Sequence, residues 1–412
     1  MSEQNLPTQR ARRQLLAGSA SALAAAGLAS FTRSAQAQMA SAPAANLPPV
    51  PKPFPPYVSW KDTNAMILHS STTIETKRAS QGMGLITPAE HLYVRNNLPA
   101  PAASILDDRE AWAISIEGVK NPRSLSLREL KTVGLESLPM VLQCSGNGRG
   151  FFPSKPSGTP WTVGAAGCVV WTGVPVRQVV ELLGGALPGM PFMTSTGGEV
   201  LPAGIDPKSV MVERSVSAQA MGEALLAWEL NGQPIPLAHG GPLRLIVPGY
   251  QGVNQIKYIK RLAFTAQESD AKIMSHGYRI SPPGTPSDPT QPSVQEMSVK
   301  SWINSPLPER PGTAGPVQIQ GLAFAGAHAI KRVEVSVDGG KHWRDARFIG
   351  PELGKYAWRQ FALAVILPPG THQLVSRATD TAGHVQPEQR LENVHGYNNN
   401  SWADHAVTVT LS

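Results

Sequence analysis

The chain has 412 residues, 41% of them apolar and 16% charged, a globular composition long enough for two domains with separate cores. Its 38 glycines and 38 prolines favour strands and turns over long helices. The formal charge is +7, but residues 1–37 hold four arginines against one glutamate, and the +4 left for the remainder is too scattered for a nucleic-acid-binding footprint.

Arg12-Arg13 stand directly before a mildly apolar run, Leu15 to Phe31, that closes on the small residues Ala35-Gln36-Ala37. This order predicts an export signal over residues 1–37 of the twin-arginine type, removed on export, and no membrane anchor in the mature form. Ala11 is a small departure, because serine or threonine usually precedes the arginine pair. The twin-arginine route implies a protein that folds around a cofactor before it reaches the periplasm. Residues 38–64, rich in proline, read as an extended arm without a core of its own.

From Met66 the pattern becomes structured. Thr87 and Pro88 suit the N-cap and first turn of a short helix, and Arg95 leaves the apolar Tyr93-Val94 run just before Asn96 and Asn97. Alternation over 111–119 predicts a strand, and 125–130 a short helix capped by Ser124 or Ser126.

Next, the apolar run Val141-Leu142-Gln143 delivers Cys144 onto the turn Ser145-Gly146-Asn147-Gly148, with Arg149 following. Three readings fit these residues. The thiol is a small buried hydrophobe, or half of a disulfide with Cys168, the only other cysteine. Alternatively it is a thiolate offered to a soft metal, with the guanidinium of Arg149 holding an anion beside it.

Trp161 to Trp171 reads as a glycine-rich loop, and 174–183 as a short amphipathic helix. Residues 224–230 run as strand or helix into the Asn231-Gly232 turn. His239 and Arg244, then Gln255 and Lys257, alternate with glycines in a way that suits a phosphate and a heterocycle. Five prolines within 281–292 mark a linker. Beyond it, short alternating runs at 317–319, 332–337, 361–365 and 372–375 predict an immunoglobulin-like β-sandwich, a packing or dimerisation module.

Taken together, Tyr93-Val94-Arg95-Asn96, Gln143-Cys144-Ser145-Gly146-Asn147 with Arg149-Gly150-Phe151-Phe152, Trp171-Thr172-Gly173-Val174-Pro175, and His239 through Lys257 carry a resemblance. The chain resembles the sulfite oxidase family of molybdopterin enzymes, and within it the periplasmic sulfite dehydrogenases that pass electrons to a cytochrome c. The resemblance implies an α+β fold, with a sulfite-oxidase-type mixed cofactor domain over 65–292 and the immunoglobulin-like dimerisation domain over 293–412. It implies a molybdenum-molybdopterin cofactor with Cys144 as the protein's thiolate on the metal. Arg95, Arg149 and Tyr278 match residues of the oxyanion pocket. Tyr93, Asn96, Asn97, His239, Arg244, Gln255 and Lys257 match positions that hold the cofactor.

The implied reaction is the oxidation of sulfite or a related sulfur oxyanion. The two cysteines lie twenty-four positions apart and no Cys-x-x-Cys-His occurs, so electrons are expected to leave for a separate c-type cytochrome. The expected assembly is a homodimer or a heterodimer with a cytochrome subunit. Three departures stand out: Asn97 where a histidine is common, Asn399 where an arginine is common, and Gly197 where a carboxylate lies near the pterin, with Glu199 two residues on. They open the pocket to a larger sulfur compound, as in sulfane dehydrogenase, or to an S- or N-oxide. A reading of a different class is a non-catalytic exported binding protein held by a Cys144–Cys168 disulfide.

Overall fold

A computed structural model describes residues 53–310 and 312–412; the expected export signal lies outside the described residues, as does most of the arm over 38–64. The end of that arm is anchored rather than loose. Val58 is fully buried against Ala65, Met66, Ile74, Val94 and Ala238. It leads into a three-stranded antiparallel sheet of Met66–Ser70, Thr73–Thr76 and Val94–Arg95, in which Thr73 pairs with Arg95.

The sheet that positions the site is antiparallel, in the order Gln233–Pro234, Leu225–Leu230, Ala166–Pro175, Glu136–Gln143, with Arg244–Ile246 also paired to Leu225–Leu230. Its central strands, Ala166–Pro175 and Leu225–Leu230, are buried along nearly their whole length because both faces are covered. The 161–171 stretch expected as a loop is strand from Ala166 onward. Its glycines serve close approach: a Cβ at Gly164 would lie 1.8 Å from the Thr76 carbonyl oxygen, and one at Gly167 would lie 2.6 Å from Leu92 Cδ1.

A second, mixed sheet runs Arg123–Ser126, Ala113–Glu117, Arg261–Thr265, Phe192–Thr196, Glu213–Ser217, with one parallel pair, Ala113–Glu117 beside Arg261–Thr265. Ile114, Ile116, Leu262, Phe264 and Met193 bury its inner face. The α-helices among the described residues are short: Leu127–Leu130, Val176–Leu182, Pro207–Val210 and Lys272–Ser275. Ser126, not Ser124, caps the first through a reciprocal box with Glu129. Thr87 caps nothing. Its amide donates to the Cys168 carbonyl at 2.7 Å and its hydroxyl accepts from Cys168 N at 3.1 Å, so a strand partner distant in sequence takes the groups a helix would have used.

Residues from Lys300 onward form two four-stranded antiparallel sheets. One runs Lys300–Ser305, Gly315–Phe324, Arg359–Leu367, Arg347–Ile349, and the other Arg344–Asp345, Ile330–Ser336, Gly370–Asp380, Val407–Leu411. Ile303, Ile319, Phe361, Val333, Leu374 and Val409 fill the space between them. The architecture is the expected mixed cofactor domain followed by an immunoglobulin-like sandwich. An apolar seam joins the two, with Val141, Val163, Ala166 and Cys168 against Met297, Trp302, Phe324 and Trp358. Polar ties flank it: Arg78 donates to the carbonyls of Ile303 and His405, and Trp358 Nε1 to that of Leu85 at 2.8 Å.

This seam overturns the disulfide. Both cysteines are free. Val141 pairs with Cys168 across the ladder, and alternation turns those two into the seam while Leu142 and Cys144 turn to the opposite face. Burial in the apolar seam pushes the Cys168 thiol up to about 12, which makes it a packed, inert group.

Candidate active site

The Glu136–Gln143 strand ends where Cys144 N donates to the Ala165 carbonyl at 2.9 Å, and the chain then turns sharply: Asn147 N reaches the Cys144 carbonyl at 2.9 Å and Arg149 N that of Gly146 at 2.8 Å. Two glycines make the turn feasible. Gly148 takes a left-handed φ of +94°, and a Cβ at Gly146 would lie 2.6 Å from the Arg149 guanidinium, which folds back over it. Cys144 thereby comes to rest where two adjoining cavities meet, of about 620 and 850 Å³.

The first cavity is lined by Tyr93, Asn96, Ser145, Glu199, His239, Arg244, Gln255 and Lys257, among others. Positive charge is concentrated and buried here. Lys257 Nζ donates to Asn96 Oδ1 and the Ala238 carbonyl, both at 2.5 Å, and Arg244 Nη1 to the His239 carbonyl at 2.9 Å. Lys61 Nζ lies 2.8 Å from His239 Nε2. Burial lowers the proton affinity of Lys61, Lys257 and His239, and for His239 the neighbouring Lys61, Lys257 and Arg244 add to it; its imidazole is neutral and accepts from Lys61. Burial holds the Glu199 carboxyl up at about 7.

Four polar atoms of this wall are buried without a partner: Asn96 Nδ2, Ser145 Oγ, Glu199 Oε2 and Arg244 Nε. Buried polar atoms are seldom left so, and a cluster of them marks a space shaped for a polar guest. Donors, one carboxylate and several cations fit an anionic heterocycle bearing a phosphate.

The second cavity is lined by Arg95, Asn97, Cys144, Gly146, Arg149, Tyr278, His395 and Tyr397 with small polar residues, and no carboxylate lines it among the described residues. Its guanidiniums are braced by oxygens that carry no full charge. Arg149 Nε donates to the His395 carbonyl at 2.7 Å and Nη1 to that of Thr159 at 3.1 Å, while its guanidinium lies 5.3 Å over the Tyr397 ring. Arg95 Nη2 donates to Asn97 Oδ1 at 2.7 Å, which also accepts from Tyr278 Oη at 3.2 Å. Tyr278 and Tyr397 stack at 5.0 Å and 13°. Two permanent cations left with unneutralised charge beside a thiol form a receptor for a small anion.

The structure thus gathers all the site residues expected from the sequence around one thiol, and it refines three of them. Gln255 lines the first cavity, and its amide also braces the loop: Oε1 accepts from Val247 N at 2.7 Å and Nε2 donates to the carbonyls of Val247 and Tyr250. Asn97 is exposed at the mouth and tied to Arg95 and Tyr278. Asn399, expected where an arginine would face the anion, lines neither cavity. Its amide donates to the Gly148 carbonyl at 3.0 Å and to Asp404 at 2.8 Å, and the members of that loop which line the second cavity are His395 and Tyr397.

The carboxylate displaced from Gly197 is accounted for. A Cβ at Gly197 would lie 2.1 Å from Glu199 Oε2, so Glu199 fills the space a side chain at 197 would take. Lys61, His395, Tyr397 and Lys300 escaped the sequence reading. Lys300, from the first sandwich strand, is 2% exposed and donates to the Asn147 carbonyl at 3.2 Å, under the Cys144 turn. Its one sequence signal is a lysine set between Val299 and Trp302 in an apolar run.

Comparison with known proteins agrees with this geometry. Residues 99–273 match the oxidoreductase molybdopterin binding domain, and residues 291–411 the Mo-co oxidoreductase dimerisation domain. The chain is 30% identical over 366 residues to sulfite oxidase of Arabidopsis thaliana, covering 82% of this chain and 91% of that one. It is 31% identical to mitochondrial sulfite oxidase of Homo sapiens over 351 residues, 79% of this chain and 62% of the human one. Among solved structures it is similar to the sulfane dehydrogenase SoxCD from Paracoccus pantotrophus, with TM-score 0.70, 25% identity, and coverage of 84% of this chain and 88% of that one. The chain belongs to the sulfite oxidase family of molybdopterin-dependent oxidoreductases.

Proposed function

We propose that this protein oxidises sulfite to sulfate in the periplasm and passes the electrons to a c-type cytochrome. The observation that carries this reading is the second cavity, where Arg95 and Arg149 converge beside Cys144 with no carboxylate lining it. Sulfite is a small dianion whose sulfur bears a lone pair. Guanidinium groups that grip its oxygens leave that sulfur facing the thiol side of the cavity.

The polar wall of the first cavity fits the molybdenum cofactor. His239, Arg244 and Lys257 would hold its phosphate, Asn96, Ser145 and Glu199 its polar ring edges, and Cys144 its metal. When bound, the cofactor supplies oxygen-atom and two-electron chemistry. In balance, sulfite and water give sulfate, two protons and two electrons. The work of the chain's own residues is to bind and orient the anion, with Tyr278 and Asn97 fixing the position of the Arg95 guanidinium.

Release to a cytochrome accords with a chain that holds no haem-attachment motif. Export by the twin-arginine route rests on Arg12-Arg13 and the run that follows. Among the described residues no helix is long and apolar enough to cross a membrane. The match of residues 291–411 to a dimerisation domain supports a homodimer, with a heterodimer containing a cytochrome subunit as the other arrangement. A second reading, oxidation of a larger sulfur compound, is favoured by the likeness to SoxCD and by the absence of a third fixed cation in the anion cavity.

Kinetics on the molybdenum-loaded protein decide between them. Sulfite should reduce two equivalents of cytochrome c, and Cys144→Ala should abolish the reaction with a loss of roughly 10³-fold or more. Turnover only with a sulfane sulfur substrate would install the second reading, and a protein that binds no molybdenum would sink both.

A further inference from the structure

Every cation that lines the anion cavity has a fixed charge except one. His395 arrives from the loop that closes the second domain and faces the same space as Arg95 and Arg149. Its Nε2 lies 2.8 Å from Ser287 Oγ, its ring lies 5.3 Å from that of Tyr397, and its carbonyl holds Arg149 Nε at 2.7 Å. The ring is therefore steered on one edge, and among the described residues Nδ1 has no hydrogen-bond partner.

Burial and the neighbouring Arg149 lower its proton affinity, so near neutral pH the free ring carries no charge. The charged and titratable groups around it do not offset this. Asp288, beside Ser287, accepts from Thr290 N at 2.7 Å, and Glu392 pairs with Arg390 at 2.6 Å. The Tyr397 phenol is raised by burial and stays protonated, and Tyr278 stacks on its far side.

We propose that His395 is a third anion-binding group of this cavity, one that takes up a proton when a doubly charged sulfur oxyanion docks beside Arg95 and Arg149. The inference rests on the sulfur-oxyanion reading above. A dianion entering a site with two cations and no carboxylate reverses the local field that keeps the imidazole neutral. Proton and anion then bind with positive coupling, and each strengthens the other by the same factor. The proton is borrowed on docking and returned when product leaves, so the overall reaction balance is unchanged. A fixed arginine would grip every dianion equally well at any pH; a histidine ties the grip to the charge of the guest.

The test uses sulfate, the product, which does not itself titrate near neutral pH. Its binding to the molybdenum-loaded protein is measured by calorimetry in two buffers of different ionisation enthalpy, across pH. Wild type should take up a proton, with affinity falling by up to about tenfold per pH unit over the range where free and bound ring differ in charge. His395→Gln should lose the uptake and flatten the profile, while His395→Arg should bind sulfate with no uptake and no pH dependence. Equal molybdenum content and melting temperature establish that the variants are folded, and wild type and His395→Arg suffice should the glutamine variant fail that check. Sulfate binding by wild type without proton uptake, or uptake undiminished in His395→Gln, overturns the role of His395. A loaded wild type that binds neither sulfate nor sulfite overturns instead the oxyanion reading on which it rests.

Discussion

The two cavities that meet at Cys144 are both cationic, yet they are made differently. In the first, the cations are amines and a guanidinium sunk deep enough that burial lowers their proton affinity, beside the neutral imidazole of His239, with Glu199 among them and four polar atoms unpartnered. In the second, the charges are guanidiniums, fixed in protonation and tied to carbonyls and an amide, and two of its aromatic walls stack on each other. Unmet hydrogen bonds suit a guest that stays. Braced, permanently charged donors suit one that exchanges, because nothing in the wall must reorganise each time it leaves.

Substitutions can break this contrast. Among the wall residues other than Cys144, the largest effect is expected at Arg149. Replacing it with glutamine removes a permanent cation from the second cavity only, so sulfite kcat/KM should fall by about 10²–10³-fold while molybdenum content stays at wild-type level. Arg149→Lys should rescue little, because an ammonium cannot reproduce the fork held by His395 and Thr159. Parallel loss of metal would show that the two cavities are not separable.

The converse is expected at Glu199. Glu199→Gln keeps the shape and removes the ability to accept at both oxygens, so cofactor affinity should drop by roughly 10–100-fold, read as molybdenum per chain after dialysis. The KM for sulfite of the fraction that remains loaded should be unchanged. A raised KM with full loading would place Glu199 on the wrong side of the division.

Much of this site was legible because its chemistry is carried by residue type. A thiol on a glycine turn followed by arginine left three readings open by itself, and the resemblance carried by the four motifs together implied a metal and a phosphate there. The glycines of 161–171 misled because the reason for them lies far away in sequence, in the Thr76 carbonyl and the Leu92 side chain that crowd Gly164 and Gly167. Asn399 turns away from the cavity that its loop lines because its amide is held by the Gly148 carbonyl and Asp404, partners that sequence alone does not place beside it. Lys61 and Lys300 were invisible for a simpler reason. A lone lysine reads as solvated surface, and its burial is settled only when the arm packs down or the second domain closes over the Cys144 turn.

Lys300 gives the smallest predicted effect and the one that reaches across the seam. It is buried, with one hydrogen bond, and Asp404, the carboxylate that acts on it, is already bound by Arg390 at 2.7 Å and Asn399 at 2.8 Å. Burial lowers its proton affinity to about 7 in the folded chain, from the ordinary lysine value of 10.5. Between those values the unfolded chain binds the extra proton, so unfolding free energy rises with pH from about 7 to about 10.5, and below 7 the full penalty of a buried ammonium is present. Lys300→Met should therefore stabilise the cofactor-free protein by about 1–4 kcal/mol at pH 6, with the gain fading as pH climbs toward 10. In the loaded protein the gain should shrink, because an anionic centre at Cys144 compensates the ammonium beneath it. Denaturant titrations of both forms at two pH values check this, and a destabilised Lys300→Met at low pH would mean that the lysine has a counter-ion closer than Asp404.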